Sequence, residues 1–232
     1  APPPTAANGE TRDALAAGPA ASVRSPFDLS RGSQSRTSAM GIVHHRTLAN
    51  GMRVAAECVP GSASVAVQLH LLSGSRHEPP ELGGATHFLE HLLFKGTERR
   101  DLHALAREMN LLGGYLDAST STDTLRLANR VIVGDLEEAL ALMDEMLWES
   151  AFPDEEIDRE RRVILEEIAE YNDAPEELVY DRFLARMWLP DPLGRPILGE
   201  PETVESLGPD ELIAWWRRIV RPGACVLSMA GS

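Results

Sequence analysis

The chain has 232 residues, 43% of them apolar and 25% charged, with a formal net charge of -14. That is enough apolar material for one sizeable core, while the acid excess argues against a dedicated nucleic-acid surface or docking on anionic lipid, both of which need a basic face. No stretch approaches the ~18 uncharged apolar residues of a membrane span, and two cysteines supply neither a disulfide scaffold nor a thiolate zinc site, so the chemistry falls to histidines and carboxylates.

More than half of residues 1–41 are Ala, Pro, Ser or Gly, with Leu15, Val23, Phe27 and Leu29 as nearly the only large apolar side chains. Such a segment buries too little surface to offset its ordering entropy and reads as a disordered tail. It lacks the apolar run of a signal peptide. Arg24, Arg31 and Arg36 among serines suggest an organelle presequence, against which Glu10, Asp13 and Asp28 count. The folded domain is expected over 42–232.

Within it, periodicity predicts strands over 43–48 and 52–59 around the Asn50-Gly51 turn signal. An alternating strand follows over 64–72, with Val65, Val67, Leu69 and Leu71 on one face. Helices are predicted over 82–95 and 101–112, then a second strand pair over 114–120 and 124–133. Three helices follow over 135–148, 154–172 and 175–188, the second with Asp154 as its N-cap. A Pro/Gly-rich connection (193–203), a helix (209–220) and a strand (224–230) complete the chain. Strand pairs separated by helix pairs imply an α+β fold with helices packed on one face of the sheet. Cys58 and Cys225 fall in strands and read as small core residues.

One short stretch concentrates the chemistry: His87-Phe88-Leu89-Glu90-His91. At ~100° per residue, the two imidazoles lie about 40° apart on a helix and Glu90 about 60° to the other side of His87. Leu82, Ala85, Phe88, Leu89, Leu92 and Leu93 occupy the opposite, core-facing arc. Two imidazoles at i, i+4 are the usual way a helix presents two nitrogens to zinc, and the offset Glu90 suits a base that activates water. A solvated helix face bearing the same residues by chance is the alternative. Gly83 and Gly84, one turn back on the histidine side, leave room for another element to approach closely.

A catalytic zinc takes three protein ligands and keeps an open position. On the helix 154–172, Glu160 and Glu167 fall two turns apart inside an apolar stripe of Ile157, Val163, Ile164, Ile168 and Tyr171, whereas Glu166 points away. A carboxylate in an apolar face is costly unless paired or metal-bound. Glu167 is therefore the best third ligand, and Glu160 is placed to accept a hydrogen bond from a ligand imidazole. Pairing with Arg76 or another arginine is the competing explanation.

Gly74-Ser75-Arg76, the run from Gly84 through His87, Glu90 and His91 to Lys95-Gly96-Thr97, Gly113-Gly114, Leu116-Asp117-Ala118, the segment from Glu160 to Ile168 and the segment from Leu193 to Gly199 keep their order and spacing in a recognisable pattern. It resembles the pitrilysin/insulinase metallopeptidases, nearest to the branch of the mitochondrial processing peptidase β subunit and its bacterial relatives. The resemblance implies a largely antiparallel sheet with helices on one face, and a zinc-dependent endopeptidase acting on extended or unfolded peptides. It implies one zinc ion held by His87, His91 and Glu167, with Glu90 as general base and Glu160 as supporting carboxylate. An edge strand bearing Gly114, Leu116, Asp117, Ala118 and Ser119 would hold the peptide substrate; Asp117 stands where the family usually has Asn. A second homologous half is implied, on the same chain or a partner subunit, as is a further hairpin and helix after residue 232. A non-catalytic scaffold or partner-dependent maturation subunit of the same fold is the alternative, against which the presence of all four site residues argues. Two cysteines, no export signal and a non-basic tail fit a bacterial cytoplasm, with the mitochondrial matrix as the alternative.

Overall fold

The computed structural model describes residues 34–38 and 41–232; most of the segment read above as a disordered tail lies outside the described residues. Among the described residues, seven strands form one sheet: β1 (Gln34–Ser38), β2 (Gly41–Thr47), β3 (Arg53–Cys58), β4 (Ser64–Leu71), β5 (Asp117–Thr120), β6 (Leu125–Ile132) and β7 (Cys225–Gly231). Their spatial order is β1-β2-β3-β7-β4-β6-β5. Every neighbouring pair is antiparallel except β3 and β7. β1 corrects part of the tail assignment: Gln34–Ser38 pairs along β2, which needs only backbone donors and acceptors and leaves no apolar signature.

Among the described residues, seven α-helices accompany the sheet: α1 (Ala85–Leu92), α2 (Leu102–Leu111), α3 (Leu136–Trp148), α4 (Asp154–Asp173), α5 (Pro175–Trp188), α6 (Pro201–Ser206) and α7 (Pro209–Ile219). Val65, Val67, Leu69 and Leu71 of β4 and Leu125, Leu127 and Val131 of β6 are buried on the face that meets α1 and α3. The alternate positions Ala66, Gln68 and His70 remain accessible, so the helical layer covers one face as the alternation implied. Phe88, Leu89 and Leu92 of α1 are wholly buried in the same core as Ile157, Ile164 and Ile168 of α4. Each such side chain contributes about 1.5–3 kcal/mol of burial, which fixes α1 between the sheet and α4.

Several boundaries differ from expectation for local reasons. α1 starts three residues later than predicted because Gly84 takes φ +91° and breaks the helical path after a 3-10 turn at Pro80–Leu82. A Cβ on Gly84 would sit 2.5 Å from the Leu198 carbonyl, so the element admitted by the missing side chains is the 194–200 loop. Asp154 is the first helical residue rather than the cap, which falls on Pro153, whereas Asp101 does cap α2 by accepting from the Ala104 N–H at 2.8 Å. β5 is shorter than the predicted 114–120, although Tyr115 and Arg130 still exchange backbone hydrogen bonds beyond it. The connection 193–203 hides the start of α6, whose first residue is a proline suited to that position. Cys225 is buried as expected, but Cys58 is exposed at the end of β3.

Candidate metal centre

α1 and α4 pack against each other, and His87, His91, Glu160 and Glu167 meet between them. His87, His91 and Glu167 each bring one ligand atom into a group lying within 4.8 Å of one another. Glu167 Oε2 stands 3.7 Å from His87 Nε2 and 3.6 Å from His91 Nε2. Those distances are too long for hydrogen bonds. They are within a few tenths of an ångström of the ~3.4 Å between ligand atoms around a tetrahedral ion with bonds of about 2.0–2.1 Å. The ring centroids are 4.7 Å apart with planes inclined at 69°, and both Nε2 atoms lie toward the Glu167 carboxylate. Two imidazole nitrogens and one carboxylate oxygen, with no thiolate, are a donor set that fits zinc and leaves a coordination position open.

The surroundings divide the two imidazoles. His87 is 7% exposed, and burial followed by the neighbouring His91 charge pushes its pKa down to about 3, so it is neutral with a lone pair available. Its Nδ1 is buried and meets no partner among the described residues. His91 Nδ1 lies 3.1 Å from Glu160 Oε2, and Glu160 Oε1 is 2.6 Å from Lys95 Nζ. Glu160 is 6% exposed in the stripe of Ile157, Ile164 and Ile168, as its place in that face required. Its cation is Lys95 rather than an arginine, while Arg76 pairs instead with Asp123. Val163, read as part of the stripe, is 45% exposed; it lies at the stripe's margin, where α4 turns to solvent.

Glu90 lies on α1 beside the site but outside the ligand cluster. Its Oε2 and Thr120 Oγ1 of β5 are both buried and face each other as each other's available partners, though not at full hydrogen-bond geometry. Burial raises the Glu90 pKa; Thr120 and His91 act against that shift and Asp117 adds to it. Glu90 is thus brought next to the C-terminal end of β5, the last strand of the sheet. Along β5, Ala118 pairs with Leu127 and is buried, while Asp117 and Ser119 pair with Ala128 and Arg126 and point to the other face. Gly114 precedes the strand, where a Cβ would sit 2.5 Å from the Arg130 carbonyl, and Leu116 is half-buried against the core. The opposite edge of β5 pairs with no strand among the described residues.

Sequence reasoning missed Lys95 as the cation of Glu160, although its place four residues after His91 is a usable signal on a helical path. It also missed Thr120, for which no local pattern exists.

With this geometry in place, comparison with known proteins gives the family. The model of the insulinase family (peptidase family M16) matches residues 53–201, and the chain belongs to that family. It is 37% identical over 193 residues to an uncharacterized zinc protease of Streptomyces coelicolor, covering 83% of this chain and 42% of the relative. It is 36% identical over 186 residues to a probable mitochondrial-processing peptidase subunit beta of Arabidopsis thaliana, covering 80% of this chain and 35% of that protein. A protease from Helicobacter pylori superposes with a TM-score of 0.79 at 23% identity, over 83% of this chain and 47% of that one. The chain therefore spans less than half the length of these relatives. Among the described residues, no helix is long and apolar enough to cross a membrane.

Proposed function

We propose that this chain is the metal-binding part of a zinc-dependent endopeptidase that cleaves extended or unfolded peptides. The observation that carries the proposal is the convergence of His87 Nε2, His91 Nε2 and Glu167 Oε2 at spacings too long for hydrogen bonds and suited to a shared ion. Held by these three residues, a zinc ion would supply Lewis acidity for polarising a scissile carbonyl and acidifying water. Glu160 orients His91 through Nδ1, and Lys95 pairs with the other oxygen of the buried Glu160 carboxyl group.

Glu90 is the general base. Its Oε2 lone pairs accept the proton of the attacking water, and the same atom then delivers that proton to the leaving amine. The edge of β5 that pairs with no strand among the described residues, from Gly114 through Leu116, Asp117, Ala118 and Ser119, hydrogen-bonds the peptide backbone as an added strand, which tolerates varied side chains. Asp117 places a carboxylate on that strand, which favours basic or neutral peptides over acidic ones. A second, homologous half, on a longer chain or a partner subunit, completes the peptide-binding chamber.

The test is the Glu90→Gln variant assayed beside its parent on an unfolded peptide. The variant is expected to keep its zinc while turnover falls about a hundred- to ten-thousand-fold. Equal cleavage by both proteins would remove Glu90 from the chemistry.

A further inference from the structure

α1 carries both imidazoles and Glu90, yet its own N-terminus has no capping side chain. The N-cap is Gly84, at φ +91° and pressed so closely on Leu198 that no larger residue fits. The first N–H groups of a helix need acceptors, and leaving them buried and unpaired is costly. Here the acceptor comes from outside the helix. Glu78, six residues before Gly84 and only 4% exposed, spans the helix end with both carboxylate oxygens. Oε2 accepts the Gly84 N–H at 2.9 Å, and Oε1 accepts the Thr86 N–H at 2.6 Å. Thr86 immediately precedes His87.

Glu78 is itself held. The Arg195 guanidinium donates to the Glu78 backbone carbonyl at 2.8 Å and reaches the Arg76 carbonyl at 3.4 Å. Around it, Trp215 Nε1 donates to Thr86 Oγ1 at 3.0 Å and Thr203 Oγ1 donates to the Gly83 carbonyl at 2.9 Å. The carboxylate thus ties the start of α1 to the Glu78 segment, whose backbone Arg195 holds, while Thr203 and Trp215 hold the same helix end directly. An anion at this end also complements the helix dipole. Burial favours protonation of Glu78, and the two N–H donors and Arg195 oppose it.

We infer that Glu78 is a positioning residue for the metal centre, one that sets the rotation and axial placement of α1 relative to Glu167 on α4. The inference rests on the zinc-peptidase reading above. Its leverage is geometric: at the ~5–6 Å radius of a helix with its side chains, a 10° rotation displaces a ligand atom by about 1 Å. That exceeds the tolerance of roughly 0.5 Å for a working site.

The experiment compares the chain with its Glu78→Gln variant. Gln keeps the shape but replaces one acceptor oxygen with an NH2 group that faces an N–H. Zinc affinity is measured by competition with a chromophoric chelator, and the visible spectrum is recorded at saturating cobalt, both well below the melting temperature of each protein. The inference predicts zinc affinity about tenfold or more weaker and an altered cobalt spectrum in the folded variant. A variant that melts earlier but matches its parent in affinity and spectrum would overturn it, because a purely structural cap moves stability alone. Should Glu78→Gln fail to fold, Glu78→Asp, which keeps the charge but falls one methylene short, is judged by the same two readouts. Glu167→Gln serves as the control: if it binds zinc as the parent does, the metal reading itself fails, whatever Glu78 does.

Discussion

Lys95, Glu160 and His91 form a line in which each group sets the state of the next. The ammonium offsets the burial of the carboxylate, and the carboxylate fixes the Nδ1 side of the imidazole so that Nε2 faces Glu167. Lys95→Met removes the partner that holds Glu160 against His91, so zinc affinity is expected to fall about tenfold. Chelator competition checks this, and unchanged affinity would detach Lys95 from the site. At this scale the i, i+4 imidazoles and the two-turn spacing of Glu160 and Glu167 were legible in the sequence, since helix geometry places them, but only Glu160 is buried in the apolar stripe, whereas the Glu167 side chain is 42% exposed. The contacts from Thr120 and Glu78 were not legible. Thr120 belongs to a strand and Glu78 to an irregular segment, and each meets α1 only through tertiary packing.

Between elements, the turn that follows α1 is tied to α3 by a buried carboxylate. Glu145, 4% exposed on α3, accepts from Thr97 Oγ1 at 2.6 Å and from the Arg100 guanidinium. These bonds outweigh the effect of burial and hold the Glu145 carboxyl below its ordinary range. Because the folded pKa is lowered, this stabilisation is present above the unfolded pKa and fades as pH falls through the folded value. Arg100→Met leaves the buried carboxylate without its cation, with an expected loss of about 3 kcal/mol near neutral pH. Denaturant unfolding at pH 7 and again in acid checks both parts: the gap between parent and variant narrows in acid, and an undiminished gap would refute the electrostatic assignment. Helix and strand positions were legible because their apolar periods of about 3.6 and 2 are strong from residue 42 onward. The insertion of β7 between β3 and β4 was not, since alternation marks a strand without naming its neighbours. The positive φ of Gly84 likewise has a cause, the approach of Leu198, that lies more than a hundred residues away in sequence.

For the whole molecule, the chain spans less than half the length of its relatives, and the candidate group of His87, His91 and Glu167 lies within that span. α1 and α4 carry the three residues of the candidate group, and the edge of β5 that pairs with no strand among the described residues runs beside Glu90. Peptide recognition through that edge is expected to depend on backbone donors. A short extended peptide with N-methyl groups on alternate amides facing the strand should bind about tenfold or more weakly than its unmethylated form, since two hydrogen bonds of about 1 kcal/mol are lost. Equal binding in a fluorescence competition assay would move recognition to side-chain pockets. The central claim is narrower still: one ion sits between two rings of α1 and one carboxylate of α4. Anomalous diffraction at the zinc edge from crystals of the zinc-loaded chain tests it directly. A single peak about 2.0–2.2 Å from Nε2 of His87, Nε2 of His91 and the Glu167 carboxylate is the predicted result; a peak elsewhere, or none at these atoms, would contradict it.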